Sequence, residues 1–498
     1  MARIAVAALL AVQAAAAEPK GVWLVVTRPM FADAVKPLAT KRRQEGFEAV
    51  VSTAPPARAL AALKAAGKRP AFLLLVGDAE KGSADQPWHV PTRWRSQYHW
   101  RIRGKVTFPA DPLWGDLDAD AVPDLPVGRI PARTAAQVKA VVAKTLAFES
   151  KRLGPDDLRI PVWAGTPAYH PVIDSVATGL LVTTVTRLAR PWARMWLMSG
   201  DANHPLCGWP EDQPALFTEQ LKKDRALAVM MGHGSTTSFF SMRHRGRSIR
   251  YTTRHTAALA SGPARAPVIV LTCSSGDFTA SGPCLTESLL TRRGGPTVAI
   301  GATAESHPLP NYFTGAGLLK ALDQKHRRIG TLWLAAQKHM LADRNLVVER
   351  ILLTAEGNIQ RAGLDHRKLR ADQVLLYALL GDPASRIFLP GRLRGRIDWK
   401  DGTCHWQVRR PAGATHLVVG FRPSASQAVK TGAAPGRAEA LKRLARANAA
   451  FTFKSIARIG PDAPWKGTIA EEGVLRLIAV GPGQIHAAAI GLTRPANK

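Results

Sequence analysis

The chain has 498 residues, 46% of them hydrophobic, enough to bury several cores and to fill two to four domains. Four cysteines exclude a disulfide scaffold. Lys plus Arg number 68 against 37 Asp plus Glu, a net charge of +31 spread along the whole chain, which would attract an anionic surface or polysaccharide. No zinc-finger spacing or aromatic RNA-binding signature accompanies that charge.

Met1-Ala2-Arg3, the apolar run Ile4 to Val12 and an alanine-rich stretch read as a signal peptide over 1–17, too short to span a membrane. No later apolar stretch is long enough to do so. The first α/β unit, 18–153, opens on the buried strand Gly21 to Thr27. It continues through a helical pattern from Ala34 to Gly46, strands at Glu48 to Val51 and Ala71 to Val76, and a closing helix from Thr134 to Glu149. Thr134 is the expected N-cap. Strands alternating with helices imply a parallel sheet covered on both faces.

Within this unit Asp116, Asp118, Asp120 and Asp124 alternate along one turn, the oxygen-rich spacing that a calcium ion takes. Ala121 stands where such a loop wants glycine, and the distal glutamate is missing. A solvated acidic turn explains the same residues. No other cofactor is implied.

The second unit, 154–390, carries strands at Ile160 to Ala164, Arg194 to Met198, Leu227 to Met231, Val268 to Thr272 and Thr297 to Gly301. Helices are expected at Leu180 to Leu188, Phe313 to Asp323 and Ile329 to Ala342. Two of these strands end in small polar turns. Gly232-His233-Gly234-Ser235 follows the first, and Cys273-Ser274-Ser275-Gly276-Asp277-Phe278 the second. Both side chains then emerge at carboxyl ends of strands, where an open α/β sheet binds its ligands. A thiol beside an imidazole is a nucleophile with its acid–base partner, and the N–H groups of Gly234 and Cys273 could form an oxyanion hole. Taken singly, Cys273 reads equally as a buried thiol and His233 as a turn histidine.

At these residues the chain resembles the gingipain family of caspase-like cysteine peptidases, peptidase family C25. Gly232 to Ser235, Cys273 to Phe278 and Ser281-Gly282-Pro283-Cys284-Leu285-Thr286-Glu287 carry the likeness. Leu73 to Asp78, Pro123 to Arg129, Phe148-Glu149 and Leu380-Gly381-Asp382-Pro383 follow the same pattern in order. The resemblance implies two consecutive parallel-sheet, caspase-like subdomains and hydrolysis of protein or peptide substrates by Cys273 and His233 through a thioester. It also implies that the loop Ala302 to Pro308 walls the pocket for the residue before the scissile bond, with Glu305 and His307 on it. In Gly165 to Asp174, where the family's arginine-specific members place acidic residues, Asp174 is the only carboxylate, and His170 falls at the position of the pocket acid. Cys207 and Cys404 could pair in an oxidising compartment, and Cys284 reads as packing.

Beyond Pro390, strand-like stretches at Thr403 to Val408, His416 to Phe421, Val474 to Val480 and His486 to Leu492 suggest a small β-sandwich, 391–498, where the resemblance implies an immunoglobulin-like module. Ala438 to Ala450 reads helical. Two functions compete. One is a secreted or periplasmic cysteine endopeptidase; the other is an exported basic binding module for anionic polymers or an envelope surface, with a remnant site. Metal and serine hydrolases are disfavoured, since neither His-Glu-x-x-His nor Gly-x-Ser-x-Gly occurs.

Overall fold

The computed structural model describes residues 20–98, 106–168, 171–322, 326–343, 345–346, 348–350, 365–423 and 431–493. The expected leader, 1–17, and His170 lie outside the described residues.

The continuous apolar runs form one ten-stranded sheet. In spatial order its strands are Glu48–Ser52, Val22–Thr27, Pro70–Val76, Val127–Ile130, Tyr377–Leu380, Ala299–Ala302, Val268–Leu271, Ala228–Met231, Arg159–Ala164 and Arg194–Ser199. Val22–Thr27 and Val268–Leu271 are buried at every position, as strands covered by helices on both faces must be. All neighbours run parallel except Tyr377–Leu380 against Ala299–Ala302. The two α/β units therefore share one sheet, fused where the strand direction reverses. The apolar run Val374 to Leu380 divides without a turn into the end of helix His366–Leu376 and this joining strand, so it carries no sequence signal of its own.

Two buried arginines tie the loops to the sheet. Arg42 donates to Glu149 at 2.8 and 2.9 Å and to Asp382 at 2.7 and 3.0 Å, and the Trp23 indole adds 3.1 Å to Asp382. Arg129 donates to Asp111 at 2.6 and 2.8 Å and to the carbonyls of Gly77 and Val90. Its guanidinium lies 4.8 Å from the Phe278 ring centroid. Phe148-Glu149, Leu380 to Pro383 and Pro123 to Arg129, all quoted for the resemblance, thus supply Glu149, Asp382 and Arg129 to these two buried clusters.

Past Pro390 a five-stranded and a three-stranded sheet pack around Cys404, Trp406, Leu417, Val419, Leu475 and Leu477. Thr403–Val408 alternates buried and exposed positions as its sequence predicts. Gly395–Lys400 and Lys454–Ile459 are exposed at most positions and escape that pattern. Helix Arg437–Ala449 lies against the last strand of the large sheet. There the Leu197 N–H donates to Asn448 Oδ1 at 2.7 Å, and Asn448 Nδ2 donates to the Leu197 carbonyl at 2.9 Å. A side-chain amide thus closes an otherwise unpaired sheet edge.

Candidate active site

The register of two neighbouring strands carries Cys273 and His233 past the same edge of the sheet. Val268–Leu271 pairs in parallel with Ala228–Met231, Leu271 opposite Met231. Cys273 and His233 each stand two residues beyond those paired ends, on strands spaced about 4.8 Å apart. Gly232, at φ +155°, donates its N–H to the Leu271 carbonyl at 3.2 Å and carries the first chain into its turn. Gly234 then packs against the second. A Cβ there would fall 2.6 Å from Thr272 Oγ1 and 2.9 Å from the Ser238 carbonyl. Its missing side chain admits the neighbouring protein chain.

After His233 comes a hairpin not expected from the sequence, His233–Ser235 against Ser238–His244. Its two-residue loop closes on the Ser235–Ser238 pair, which makes Gly234–Phe239 the non-hydrogen-bonded pair of the ladder. The Gly234 N–H consequently points away from Ser238–His244.

His233 Nε2 lies 2.6 Å from the Pro167 carbonyl oxygen, and the Phe240 ring stands edge-on with its centroid 6.4 Å away. A carbonyl only accepts, so Nε2 carries the proton and Nδ1 is the lone-pair nitrogen of the neutral ring. Pro167 belongs to the stretch that lacks a glutamate. A backbone acceptor is invisible in sequence because every residue has one.

Cys273 Sγ is 3.4 Å from the Ser306 carbonyl oxygen and 3.8 Å from Ser306 Oγ. It is the only partly exposed cysteine, the other three being buried. Burial pushes the Cys207 thiol up to about 12, and raises those of Cys284 and Cys404. None of the four is in a disulfide, so the Cys207–Cys404 pair does not form. Cys207 instead packs 3.9 Å from Met242 Sδ, and Cys284 caps helix Leu285–Thr291. Ser274, directly after the nucleophile candidate, has φ +54°. That left-handed turn is held by its N–H on the Ala304 carbonyl at 2.8 Å and by the Gly276 N–H on Ala302 at 2.7 Å.

The expected pocket residues separate. Glu305 and Ser274 border a cavity of about 570 Å³ that also touches Lys81, Trp94, Gln97 and Asp277. Gln97 donates to the Glu305 carbonyl at 2.5 Å. Trp94, 45% exposed, is a wall that the sequence reading missed. His307 is buried instead, its Nδ1 accepting the Leu309 N–H at 3.2 Å as the cap of helix Pro308–Ala321. Asp174 sits in the first turn of helix Pro171–Leu188, which starts well before the expected Leu180.

In the acidic loop, oxygens of Asp116, Asp118 and Asp120 lie within 4.8 Å of one another. One Asp116 oxygen is buried without a hydrogen-bond partner among the described residues. Ala121 adopts φ +65°, the left-handed conformation that glycine would favour there. These three carboxylates fit a hard cation. Asp124 stands apart, its oxygens taken by the Leu117 N–H at 2.9 Å and by Arg69 at 3.0 Å.

Comparison with known proteins places this geometry. The fold is similar to that of the Arg-specific cysteine proteinase gingipain R, RgpB, with a TM-score of 0.53 at 15% identity over 96% of this chain and 99% of that one. The complex of Porphyromonas gingivalis RgpB pro- and mature domains gives 0.53 at 14% identity, over 95% of this chain and 99% of that chain. A further protease structure gives 0.52 at 14% identity, over 95% and 97%. No curated protein matches the sequence. Residues 16–388 match peptidase family C25, three quarters of the chain including both strand-end turns, and the protein accordingly belongs to that family of cysteine-type peptidases.

Proposed function

We propose that the chain is an exported cysteine endopeptidase in which Cys273 and His233 form a catalytic dyad. The observation carrying this reading is that both leave adjacent parallel strands at the same register, two residues beyond a shared pair. His233 Nδ1 takes the thiol proton while the Pro167 carbonyl holds Nε2–H. The thiolate attacks the scissile carbonyl carbon, forming the C–S bond, and the N–H groups of Gly234 and Cys273 receive the oxyanion, each worth about 3 kcal/mol. Protonated His233 then gives its proton to the leaving amine as the C–N bond breaks. Water, deprotonated by the same imidazole, releases the acid from the thioester. Loss of peptide hydrolysis in both Cys273→Ala and His233→Ala, with the fold retained, is the test.

Glu305 beside Ser274 favours a substrate with an Arg or Lys side chain at the cavity, where a carboxylate pairs with a confined cation. His307 is too enclosed to join it. Calcium, held by Asp116, Asp118 and Asp120, would brace the loop ahead of Arg129 and take no part in the reaction. The C-terminal two-sheet module is read as immunoglobulin-like.

Export rests on the leader, and among the described residues no helix is long and apolar enough to cross a membrane. An anionic envelope partner would find its place on the C-terminal module. A cavity of about 750 Å³ there is bordered by Arg392, Arg394, Arg409 and Arg410, none of them ion-paired among the described residues.

A further inference from the structure

Behind the sulfur of Cys273 a run of buried polar side chains leads into the core, and one backbone carbonyl sets its direction. Thr314 Oγ1 lies 2.7 Å from the Pro310 carbonyl oxygen. That oxygen only accepts, so the Thr314 proton is committed to it. The Gln373 atom 3.2 Å from Thr314 Oγ1 must then be the amide nitrogen. The same nitrogen stands 2.8 Å from Asn311, whose facing atom is therefore the oxygen, and the Tyr377 hydroxyl donates to that oxygen at 2.6 Å. Asn311 is left presenting its Nδ2 to Ser306 Oγ at 2.9 Å. With an N–H donated to it, the Ser306 oxygen has its own proton to place, and the Tyr377 hydroxyl oxygen, already donating its proton to Asn311, faces it beside the sulfur. Cys273 Sγ is 3.8 Å away.

We propose that Ser306, oriented by Asn311, Gln373 and Thr314, donates a hydrogen bond to Cys273 Sγ and stabilises the thiolate over the thiol. In the thiol form Sγ–H points at the Ser306 carbonyl, 3.4 Å away. When the S–H bond breaks and the proton passes to His233 Nδ1, that contact is exchanged for O–H···S⁻ from the same residue. A hydrogen bond to a charged acceptor is worth more than one to its neutral form, so the exchange favours ionisation. The catalytic consequence rests on the peptidase reading; the ionisation itself does not.

The titratable groups on the segments around the thiol are His233, Glu305, His307, Tyr377 and, on its own turn, Asp277. Burial holds Tyr377 neutral, its pKa raised far beyond the working range. His307 accepts an N–H at Nδ1, Asp277 is bonded to Thr279, Glu305 borders the neighbouring cavity, and His233 Nε2 is held by the Pro167 carbonyl.

The test is the pH dependence of iodoacetamide alkylation at Cys273 in the full chain, quantified by peptide mass spectrometry, which needs no substrate. Ser306→Ala is expected to move the midpoint up by about one pH unit, while Ser306→Thr, which keeps the hydroxyl, stays with the parent. Tyr377→Phe leaves Ser306 in place and should shift it by no more than a few tenths. An unchanged profile in Ser306→Ala, or a shift in Tyr377→Phe larger than in Ser306→Ala, overturns the assignment. If the parent cleaves no peptide yet Ser306→Ala shifts the profile, Ser306 keeps its role and the peptidase reading falls. If the parent cleaves and the profile does not move, the Ser306 assignment falls alone.

Discussion

The Pro167 carbonyl oxygen lies 2.6 Å from His233 Nε2 and does for this imidazole what a carboxylate does in a three-residue site. It holds the ring at Nε2 and leaves Nδ1 for the proton exchange proposed above, without adding a charge. The stretch Gly165 to Asp174 needs no glutamate for that role.

Gly234→Ala tests how closely the two turns approach. The new methyl would meet Thr272 Oγ1 at 2.6 Å, one residue from Cys273. Overpacking of this kind costs about 1–3 kcal/mol, and activity should fall at least tenfold because the same shift moves the proposed oxyanion donor. Chemical denaturation together with kcat/KM on one peptide checks both.

Arg42 is buried against three carboxylates, those of Glu45, Glu149 and Asp382. Arg42→Ala strands these charges and is expected to cost about 3–5 kcal/mol. Asp33 and Lys36 form a solvent-exposed pair, and Lys36→Ala should leave the urea midpoint unchanged. Urea midpoints of the two variants give the contrast.

Asn448→Ala leaves the Leu197 N–H and carbonyl without their side-chain partners. A loss of about 2–4 kcal/mol is expected, and it should appear in the unfolding of the catalytic sheet as well as of the C-terminal module. The two share a core, since Leu444, Ala447, Ile478 and Val480 pack with Leu197 and Trp192. Hydrogen exchange at Leu197 should speed up in the variant.

Glu287 gives stability a pH dependence. Burial raises its carboxyl to about 7 from 4.5, although its side chain accepts the Cys284 N–H at 2.8 Å. Between these values the folded chain holds a proton that the unfolded chain has released, so stability falls as pH rises from 4.5 to about 7. Glu287→Gln keeps an acceptor for Cys284 and removes this slope. It should gain on the order of 2 kcal/mol on the parent between pH 4.5 and pH 7, read from urea midpoints across that range.

The legible parts of this chain were those in which chemistry and periodicity coincide. Apolar runs ending in Gly-His-Gly and Cys-Ser-Ser read as strands that end in polar turns, and these strands are neighbours in register. Thr134 reads as a cap and is one, with Gln137 completing a capping box. Hidden features depend on groups common to all residues or on partners distant in sequence. The Pro167 carbonyl has no side-chain signature, the joining strand Tyr377–Leu380 continues a helix without a break, and Asn448 is an ordinary helix residue until an edge strand lies beside it. The capping role of His307 is hidden for a related reason, because a loop histidine can turn inward to cap the following helix. Asp382 and Glu149 were visible as motif residues, but only the fold shows that they serve Arg42.

The most direct test of the proposed dyad is labelling of the full chain with peptidyl acyloxymethyl ketones bearing Arg, Lys, Asp, Asn or Leu beside the warhead, with adducts located by peptide mass spectrometry. The account predicts one adduct, at Cys273, strongest with Arg or Lys and absent in His233→Ala, while the buried Cys207, Cys284 and Cys404 stay unmodified. A folded protein that takes up none of these reagents at Cys273, or labels equally well without His233, would contradict it.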